Sequence, residues 1–258
     1  MTRNNIADRR SLLRQSIGAA ATLLLGGCEP LSEKPWVLRT LGIAEEVSLK
    51  SHRLLIPRDR LALEFPATEI SAQFKVNGSD SPDDERYQEL AQSNFADWRL
   101  IVDGLFGNPA EFSLPQLREM PARTQITRHD CVEGWSCIGK WKGVPLAEVL
   151  ERAKLKPEAK FIVFYCADAL DAFSNHLYYE SLDLVDAFHP QTILAYEMND
   201  RPLSIPHGAP IRLRAERQLG YKMAKFVMRI EAVAAFDQIG QGKGGYWEDR
   251  GYDWYAGI

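Results

Sequence analysis

The stretch that decides the fold of this chain is RHDCVEGWSC, residues 128–137, which continues to Trp141 and to GVPL at residues 143–146. It places a thiol, carboxylates, two indoles and glycines within one short span. A segment whose only task is to fold rarely combines these groups. We interpret Cys131 as a metal thiolate. The alternative is that it is a small, inert, buried hydrophobe, which is the usual state of a cysteine.

Two separated segments carry a resemblance to a known family. Cys131-Val-Glu-Gly-Trp-Ser, with Trp141 and GVPL, resembles the molybdenum-binding segment of the sulfite oxidase family of molybdopterin oxidoreductases. LAYEMN at 194–199, HGAPIR at 207–212 and GYKMAK at 220–225 are similar to its pterin-binding half. The segments lie in the family's order, and the resemblance covers roughly residues 70–258. It is closest to the single-domain periplasmic members, a group that includes the catalytic subunits of methionine sulfoxide reductases.

Length and composition fit a soluble globular protein. The chain has 258 residues, 45% of them hydrophobic and 26% charged, which is enough for one large domain after removal of a leader. The formal net charge of -4 argues against a general nucleic-acid binder, because such proteins need a basic face that neutralises phosphates. We therefore expect no nucleic-acid partner, while the resemblance implies a small-molecule substrate.

The four cysteines are Cys28, Cys131, Cys137 and Cys166. Cys28 lies in a processing sequence described below, so three cysteines remain for the folded protein. An odd number of cysteines in an exported protein is the result expected if one of them is a thiolate bound to a metal. Cys137 and Cys166 are either free, paired or pocket-lining. The sequence contains no CxxCH for c-type haem and no CxxC pair for zinc or an iron–sulfur cluster.

Residues 1–28 have the pattern of a targeting leader. DRRSLLR at residues 8–14 resembles a twin-arginine export signal, and the apolar run at 17–25 is too short for a permanent membrane span. The alternative is an amphipathic surface helix with chance arginines. LGGC at residues 25–28 resembles a lipoprotein processing box, so Cys28 is either lipidated and membrane-tethered or the site of plain cleavage. We expect a periplasmic protein exported by the twin-arginine route.

The remaining chain is divided into an N-terminal extension at 29–95, a catalytic core at 96–236 and an aromatic C-terminal strap at 237–258. The extension has mixed periodicity at 41–49 and 54–63, and a helix is expected from about Asp83 to Gln92. Strands are predicted at Trp98–Asp103, Thr124–Asp130, Lys160–Tyr165, Thr192–Glu197, Ile211–Ala215 and Phe226–Ala235. Short helices are predicted after a Ser113 cap, at Leu146–Ala153 and near Leu182–Ala187.

These elements indicate an α+β fold of mixed sheets with short helices, and the resemblance implies a sulfite-oxidase-like molybdopterin-binding fold. Cys131 comes at the end of a predicted strand, and the loop after it is expected to wrap the metal. No GxGxxG or Walker loop follows a strand, which excludes a nucleotide-binding interpretation. The rings of the strap suit a carbohydrate platform, a nucleobase stack or, as we favour, the filling of grooves on the domain.

The resemblance implies a molybdenum–molybdopterin cofactor, with Cys131 as the protein ligand held as a thiolate by the metal's charge. The other implied cofactor-binding residues are Asn77, Cys166, His207, Arg212, Lys222, Met223, Ala224 and Lys225. Arg212 suits forked contact with a phosphate. Cys166 departs from a position that is often a hydroxyl residue, and Asn77-Gly78 is alternatively a tight turn. The cations and His207 are alternatively ordinary surface residues.

Three residues are the candidates for catalysis: Cys131, Tyr178 and Arg128. Tyr178 matches a tyrosine beside the metal centre of sulfite oxidases, and its alternative is packing within a Tyr-Tyr pair at a strand edge. Arg128, with His129, would attract an anion such as sulfite. The CAGNR-type run of true sulfite oxidases is replaced here by CVEGWS, which exchanges an arginine for an indole and a carboxylate. A neutral sulfoxide is therefore at least as good a candidate substrate.

The predicted function is two-electron oxygen-atom transfer on a small sulfur-containing or related oxo substrate, either sulfite oxidation or sulfoxide reduction. Too few residues follow Glu231 for an immunoglobulin-like or haem domain. Electrons are thus expected to pass to a separate partner, a haem protein or a quinone-linked membrane subunit. The alternative from another class is a non-catalytic lipoprotein scaffold that retains the fold.

Overall fold

A computed structural model describes residues 34–170 and 176–258 of the chain. The predicted export signal and Cys28 lie outside these residues. The chain divides into two compact units, Met1–Leu54 and Leu55–Ile258. In the first, helix α1 (Pro35–Leu55) occupies sequence whose periodicity predicts no single element, and it carries a Lys50–Glu46 ion pair of 2.7 Å. Across the described ranges, no helix combines the length and the apolar character needed to cross a membrane.

The second unit is built of two mixed sheets and a few short helices. Its strands are β1 (Arg99–Gly104), β2 (Ala110–Ser113), β3 (Arg123–Asp130), β4 (Ser136–Pro145), β5 (Phe161–Ala169), β6 (Leu177–Asp183), β7 (Ile193–Met198), β8 (Arg201–Pro202), β9 (Arg212–Arg214) and β10 (Val227–Val233). Its α-helices are α2 (Glu85–Gln92), α3 (Leu114–Glu119), α4 (Leu146–Arg152) and α5 (Leu184–Ala187). Single 3-10 turns lie at Ala67–Glu69, Ile205–His207, Gly220–Lys222 and Glu248–Arg250.

The strand order is β2-β1-β10-β5-β6 in one sheet and β3-β4-β7-β8 in the other, where β9 also pairs with β7. Only the β1–β10 pair among these described strands is parallel. The largest core cluster draws on both sheets, with Leu100, Phe164 and Ile230 from one and Val144 and Leu194 from the other. The α+β expectation is confirmed.

Strands with a clear apolar alternation are found where the sequence predicts them. β1, β3 and β7 agree with their predicted ranges to within one residue at either end. The Ser113 cap is also present, because Ser113 Oγ accepts from the Gln116 backbone N–H and the Gln116 side chain accepts from the Ser113 N–H at 2.8 Å. The pattern does not predict β2, β4 or β6.

Strand β4 is the most consequential of these, since it follows Cys131 where a loop is expected. Its glycines and lysines interrupt the alternation of apolar and polar residues, so the sequence pattern does not predict a strand. Pairing with β3 on one side and β7 on the other stabilises it. The β4–β7 register shifts at Gly143, whose missing Cβ would meet the Leu194 carbonyl oxygen and lie 2.6 Å from Ala195 Cα. Glycine is required there because the neighbouring backbone occupies the space of a side chain.

Residues before the predicted core belong to the same compact unit, which begins at Leu55. The Phe65 N–H donates to the Ile126 carbonyl at 2.9 Å, and the Ser71 N–H donates to the Ile138 carbonyl at 3.0 Å. This part of the predicted extension therefore runs along β3 and β4.

The C-terminal segment, residues 237–258, covers β6, the edge strand of the first sheet. The Tyr246 N–H donates to the Tyr179 carbonyl at 2.9 Å, and Trp254 Nε1 donates to Ser181 Oγ at 2.8 Å. Tyr246 is buried, and the Trp254 ring lies 5.5 Å from that of Phe161. The groove-filling prediction is confirmed for Tyr246 and Trp254, and the segment protects an otherwise open sheet edge.

Candidate active site

A cavity of about 390 Å³ lies in the second unit, beside the ends of β3 and β5. Five of the predicted site residues border it: Asn77, Cys131, Tyr178, Met223 and Lys225. They come from segments far apart in the sequence, so the fold brings the two halves of the resemblance together.

Cys131 directly follows β3 at the start of a tight turn. Its N–H donates to the Trp135 carbonyl at 2.9 Å, and the Gly134 N–H donates to the Cys131 carbonyl at 3.0 Å. Gly134 has a φ of 85°, a conformation that glycine adopts at little cost. The thiol is half-buried and forms no disulfide, and burial raises its pKa. The turn thus presents a protonated sulfur at the cavity wall, where an incoming metal ion would have to displace the proton.

Arg212 ties three predicted segments together from a buried position in β9. Its guanidinium donates to the His207 carbonyl at 3.2 Å, the Met223 carbonyl at 3.3 Å and Asn77 Oδ1 at 3.5 Å. Burial, with the neighbouring Arg214, lowers the pKa of Arg212 to about 9. Arg212 does not border the cavity itself but holds two residues that do.

Lys225 brings an ammonium group to the cavity wall. Its Nζ donates to the Ser79 carbonyl and, at 3.0 Å, to the Pro206 carbonyl. Burial, then the charge of Arg212, lowers the pKa of Lys225 to about 7. Ala224 before it is buried, and its carbonyl accepts from the Leu213 N–H at 2.7 Å. This lysine carries a fractional charge near neutral pH and is already hydrogen-bonded to the backbone.

Tyr178 is a buried phenol whose hydroxyl donates to the Tyr221 carbonyl. Burial raises its pKa well above the ordinary value, so the hydroxyl stays protonated. Cys166 is buried and free, and burial also raises its thiol pKa strongly, but it does not border the cavity. Cys137 is free and half-buried, and it accepts from the Lys75 N–H at 3.5 Å. The His207 carbonyl accepts from Arg212, and His207 does not border the cavity.

Among the predicted residues that do not border the cavity, Lys222 and Arg128 have side chains that pair elsewhere. Lys222 is buried, with its ammonium against the carboxylates of Glu180 and Glu248, the latter at 2.6 Å. Arg128 is exposed and pairs with Asp130 at 2.8 Å, bordering a separate cavity of about 200 Å³. Side chains alternate along β3, so Arg128 points to the opposite face from His129.

Asp168 is a cavity residue that the sequence reasoning missed. Its Oδ2 accepts from Ser79 Oγ at 2.7 Å, and burial raises the pKa of this carboxyl group. The sequence did indicate it. Burial of an aspartate at the end of the apolar strand FIVFYCAD costs free energy unless the carboxyl group has a partner or a function.

Glu133 and three aromatic side chains are further cavity residues that the sequence did not predict. Glu133 accepts from Trp135 Nε1 at 3.0 Å. The rings of Trp247 and Tyr252 stack at 5.2 Å, and Tyr221 meets Tyr252 edge-on at 5.3 Å. Glu133, Trp247, Tyr221 and Tyr252 all border the cavity. The rings come from the C-terminal segment and the turn after β9, so only the fold places them opposite Cys131.

The comparison with known families assigns the class of protein. The family described as "Oxidoreductase molybdopterin binding domain" matches residues 87–238, more than half of the chain. The chain belongs to this family, which confirms the resemblance to molybdopterin oxidoreductases, and it is an oxidoreductase of that type.

Particular relatives narrow the comparison. The chain is 33% identical over 249 residues to the "Putative protein-methionine-sulfoxide reductase subunit YedZ1" of Azospira oryzae, covering 96% of this chain and 87% of that protein. It is 32% identical to the "Protein-methionine-sulfoxide reductase catalytic subunit MsrP" of Campylobacter jejuni, over 66% of this chain and 60% of that one. The MsrP of Ralstonia nicotianae is 33% identical, over 62% and 50% of the two chains.

One solved structure is similar in part. It is the sulfane dehydrogenase SoxCD from Paracoccus pantotrophus, with 26% identity and a TM-score of 0.48 over 54% of this chain and 38% of that chain.

The residues around the cavity fit a molybdopterin. Two buried polar atoms in the described parts of the chain have no hydrogen-bond partner here: Asp168 Oδ1 belongs to a residue of the cavity wall, and Arg212 Nε to a residue bonded to Asn77 and Met223 of that wall. A buried polar atom left unpaired costs roughly 1–3 kcal/mol, so each of these atoms calls for a ligand or water. A guanidinium donor and a carboxyl group suit a polar heterocycle with a phosphate.

Proposed function

We propose that this chain is an exported molybdenum–molybdopterin enzyme that reduces a sulfoxide to a thioether. The observation that carries the proposal is the charge of the Cys131 cavity. Its charged side chains are Glu133, Asp168 and Lys225, so the described wall holds two carboxyl groups and one partly charged amine. When bound, the cofactor supplies a metal centre that exchanges an oxygen atom and two electrons with the substrate.

The charge distribution favours a neutral substrate over sulfite. A sulfite anion needs cations, yet Arg128 lies at the other cavity and the Lys225 ammonium is used by two carbonyl groups. Like charges on Glu133 and the anion would repel at close range. A sulfoxide carries no net charge and has apolar substituents that suit the rings of Trp247 and Tyr252. The relatives named as methionine-sulfoxide reductase subunits support the same direction.

The reaction balances when one sulfoxide takes up two electrons and two protons and gives one thioether and one water. The electrons come from a separate redox protein, and the word "subunit" in the relatives' names supports such a partner. Asp168 has a raised carboxyl pKa and an unpaired Oδ1 in the described structure, so it is suited to hold one of the protons. The protonated hydroxyl of Tyr178 orients the neighbouring wall through its bond to Tyr221.

The proposed reaction is tested with purified protein from cells that make molybdopterin. We expect molybdenum near one per chain, and oxidation of a reduced viologen dye on addition of a dialkyl sulfoxide. Sulfite with an oxidised dye tests the rival reaction, in which electrons flow from substrate to dye, and should give a kcat/KM at least about tenfold lower, as expected for a site that lacks cations for the anion. Absence of molybdenum from such cells would support the non-catalytic scaffold, and faster sulfite turnover would contradict the direction proposed.

The export proposal rests on the twin arginines Arg9 and Arg10 and on the LGGC sequence that ends at Cys28. Replacing both arginines with lysine is expected to retain the protein in the cytoplasm with its cofactor bound. Cys28→Ala is expected to move it from the membrane fraction to the soluble periplasmic fraction. Cell fractionation with immunoblotting reads out both changes. An unchanged distribution of the lysine variant would contradict export by this route.

A further inference from the structure

A row of exposed apolar side chains runs along helix α1 (Pro35–Leu55). Its members are Trp36, Ile43, Val47 and Leu54, which are 60%, 60%, 56% and 85% exposed. Successive residues of an α-helix are turned by about 100°, so these four positions fall within about 40° of one another. The row is about 27 Å long, at a rise of about 1.5 Å per residue. The first compact unit therefore carries one continuous apolar face that is open to solvent.

An apolar face left in water is unusual for a helix of this length. Helices in proteins gain most of their stability by packing an apolar face, and α1 lacks that contribution along this row. Single apolar residues scattered over a surface need no explanation, whereas a contiguous apolar patch marks a site of interaction. The alignment of the row indicates that another surface covers it.

The residues between the apolar positions argue against pairing with a second copy of the chain. A coiled-coil seam needs apolar residues at alternating spacings of three and four, and here that seam would include Thr40 and Lys50. The Thr40 hydroxyl donates to the Trp36 carbonyl at 2.8 Å, and Lys50 is charged and pairs with Glu46. A lipid surface accommodates the lysine, because its stem can lie along the apolar boundary while its ammonium stays among the headgroups.

The sequence around α1 also favours a lipid surface. Cys28, the residue proposed to carry a lipid, precedes Pro35 by seven residues, which span at most about 25 Å when fully extended. Lysines and arginines outnumber acidic residues by four to two in residues 34–55, which suits the negative charge of an anionic bilayer. Trp36 stands near one end of the helix, and tryptophan favours the membrane–water interface.

We propose that α1 is a membrane-surface helix, which lies flat on an anionic lipid bilayer with Trp36, Ile43, Val47 and Leu54 between the headgroups and the acyl chains. The inference rests on the export and lipid-anchor part of the proposed function and is independent of the substrate. One such helix binds reversibly, so it supplements a lipid at Cys28 and does not replace it. It keeps the chain beside a membrane-embedded electron donor.

Two double variants test this role in Cys28→Ala protein purified from the periplasmic fraction. Ile43→Asn/Val47→Asn removes half of the apolar row. The control, Ala44→Asn/Ser48→Asn, introduces the same residues at exposed positions that are turned by about 100°. Neither change alters the net charge. We expect the partition coefficient on vesicles of phosphatidylglycerol and phosphatidylethanolamine, measured by sedimentation, to fall on the order of tenfold in the first variant and to stay within about twofold in the control.

Equal losses in the two variants, or no binding of the Cys28→Ala protein itself, would overturn the inference. A dimer in vesicle-free solution that Ile43→Asn/Val47→Asn dissociates would also overturn it, since the row would then be an interface between copies.

A second measurement uses the lipid-anchored protein on vesicles of brominated lipids, which quench tryptophan fluorescence on contact. We expect quenching that disappears in Trp36→Phe, and quenching that is absent or that persists in this variant contradicts the proposal. Export is measured by cell fractionation and the reaction by dye oxidation. Failure of the proposed function is therefore distinguishable from loss of vesicle binding.

Discussion

Cys131→Ser is expected to reduce sulfoxide-dependent dye oxidation to the background rate while leaving the protein folded. The thiol is a half-buried side chain in a turn, so an oxygen in its place costs little packing. A serine hydroxyl does not ionise as readily as a thiol, so under the proposed function the metal would lose its soft protein ligand. Turnover, molybdenum content, pterin content and the circular dichroism spectrum are measured on the same preparation. Pterin content is expected to be near normal and the spectrum to be unchanged.

Cys137→Ser is the matched control for this prediction. Cys137 is also free and half-buried, lies at the start of β4, and does not border the cavity. We expect its kcat/KM to remain within about twofold of the unaltered protein, since its sulfur makes only weak contacts with the backbone at Lys75 and Gln73. Equal losses in both variants would show that the effect of Cys131 is structural and not ligation.

Where family segments and strong periodicity coincide, the residues predicted from the sequence border one cavity in the structure. Alternation from Thr124 to Asp130 placed Cys131 at a strand end, and the matched segments supplied Met223 and Lys225. Pattern reasoning did not find β4, because its glycines and lysines are stabilised by neighbours on both sides. Local patterns predict a strand only when its own residues carry the signal.

The sequence could not predict which side chains border the cavity where this depends on tertiary packing. Lys222 was a candidate because it adjoins the matched segment at 223–225, but its ammonium pairs with two carboxylates that are distant in the sequence. Arg128 adjoins the ligand segment, yet the period of two along β3 sends it to the other face. Asp168 and Trp247 become cavity residues only once β5 and the C-terminal segment meet. Neighbourhood in the sequence was therefore a poor guide to which charged side chains border the cavity.

Lys222→Met is expected to cause the largest loss of stability among these variants. Lys222, Glu180 and Glu248 all have side chains at 1% exposure or less, so the substitution leaves two carboxylates buried without a cation. Removing one partner of a buried ion pair costs about 3–5 kcal/mol of unfolding free energy. Glu248 belongs to the C-terminal segment, which should detach first. Urea denaturation at pH 8 measures the loss.

Lys140→Met is the control at the surface. Lys140 pairs with Asp200 at 2.7 Å, but the side chains are 31% and 74% exposed. Water screens such a pair, and we expect a change of no more than about 1 kcal/mol. Glu248→Gln added to Lys222→Met should restore part of the stability, because it removes one of the stranded charges. No gain in this double variant would contradict the account of repulsion between carboxylates.

The loss of unfolding free energy in Lys222→Met is expected to depend on pH. Burial already raises the pKa of Glu180 well above its ordinary value, and Lys222 opposes that rise. Without Lys222 the pKa rises further above that of the unfolded chain, so the folded state binds protons more strongly. Stability relative to the unaltered protein must then be lowest at high pH and recover as the pH falls through the raised pKa. A difference in unfolding free energy that stays constant between pH 8 and pH 5 would rule out buried charge as the cause.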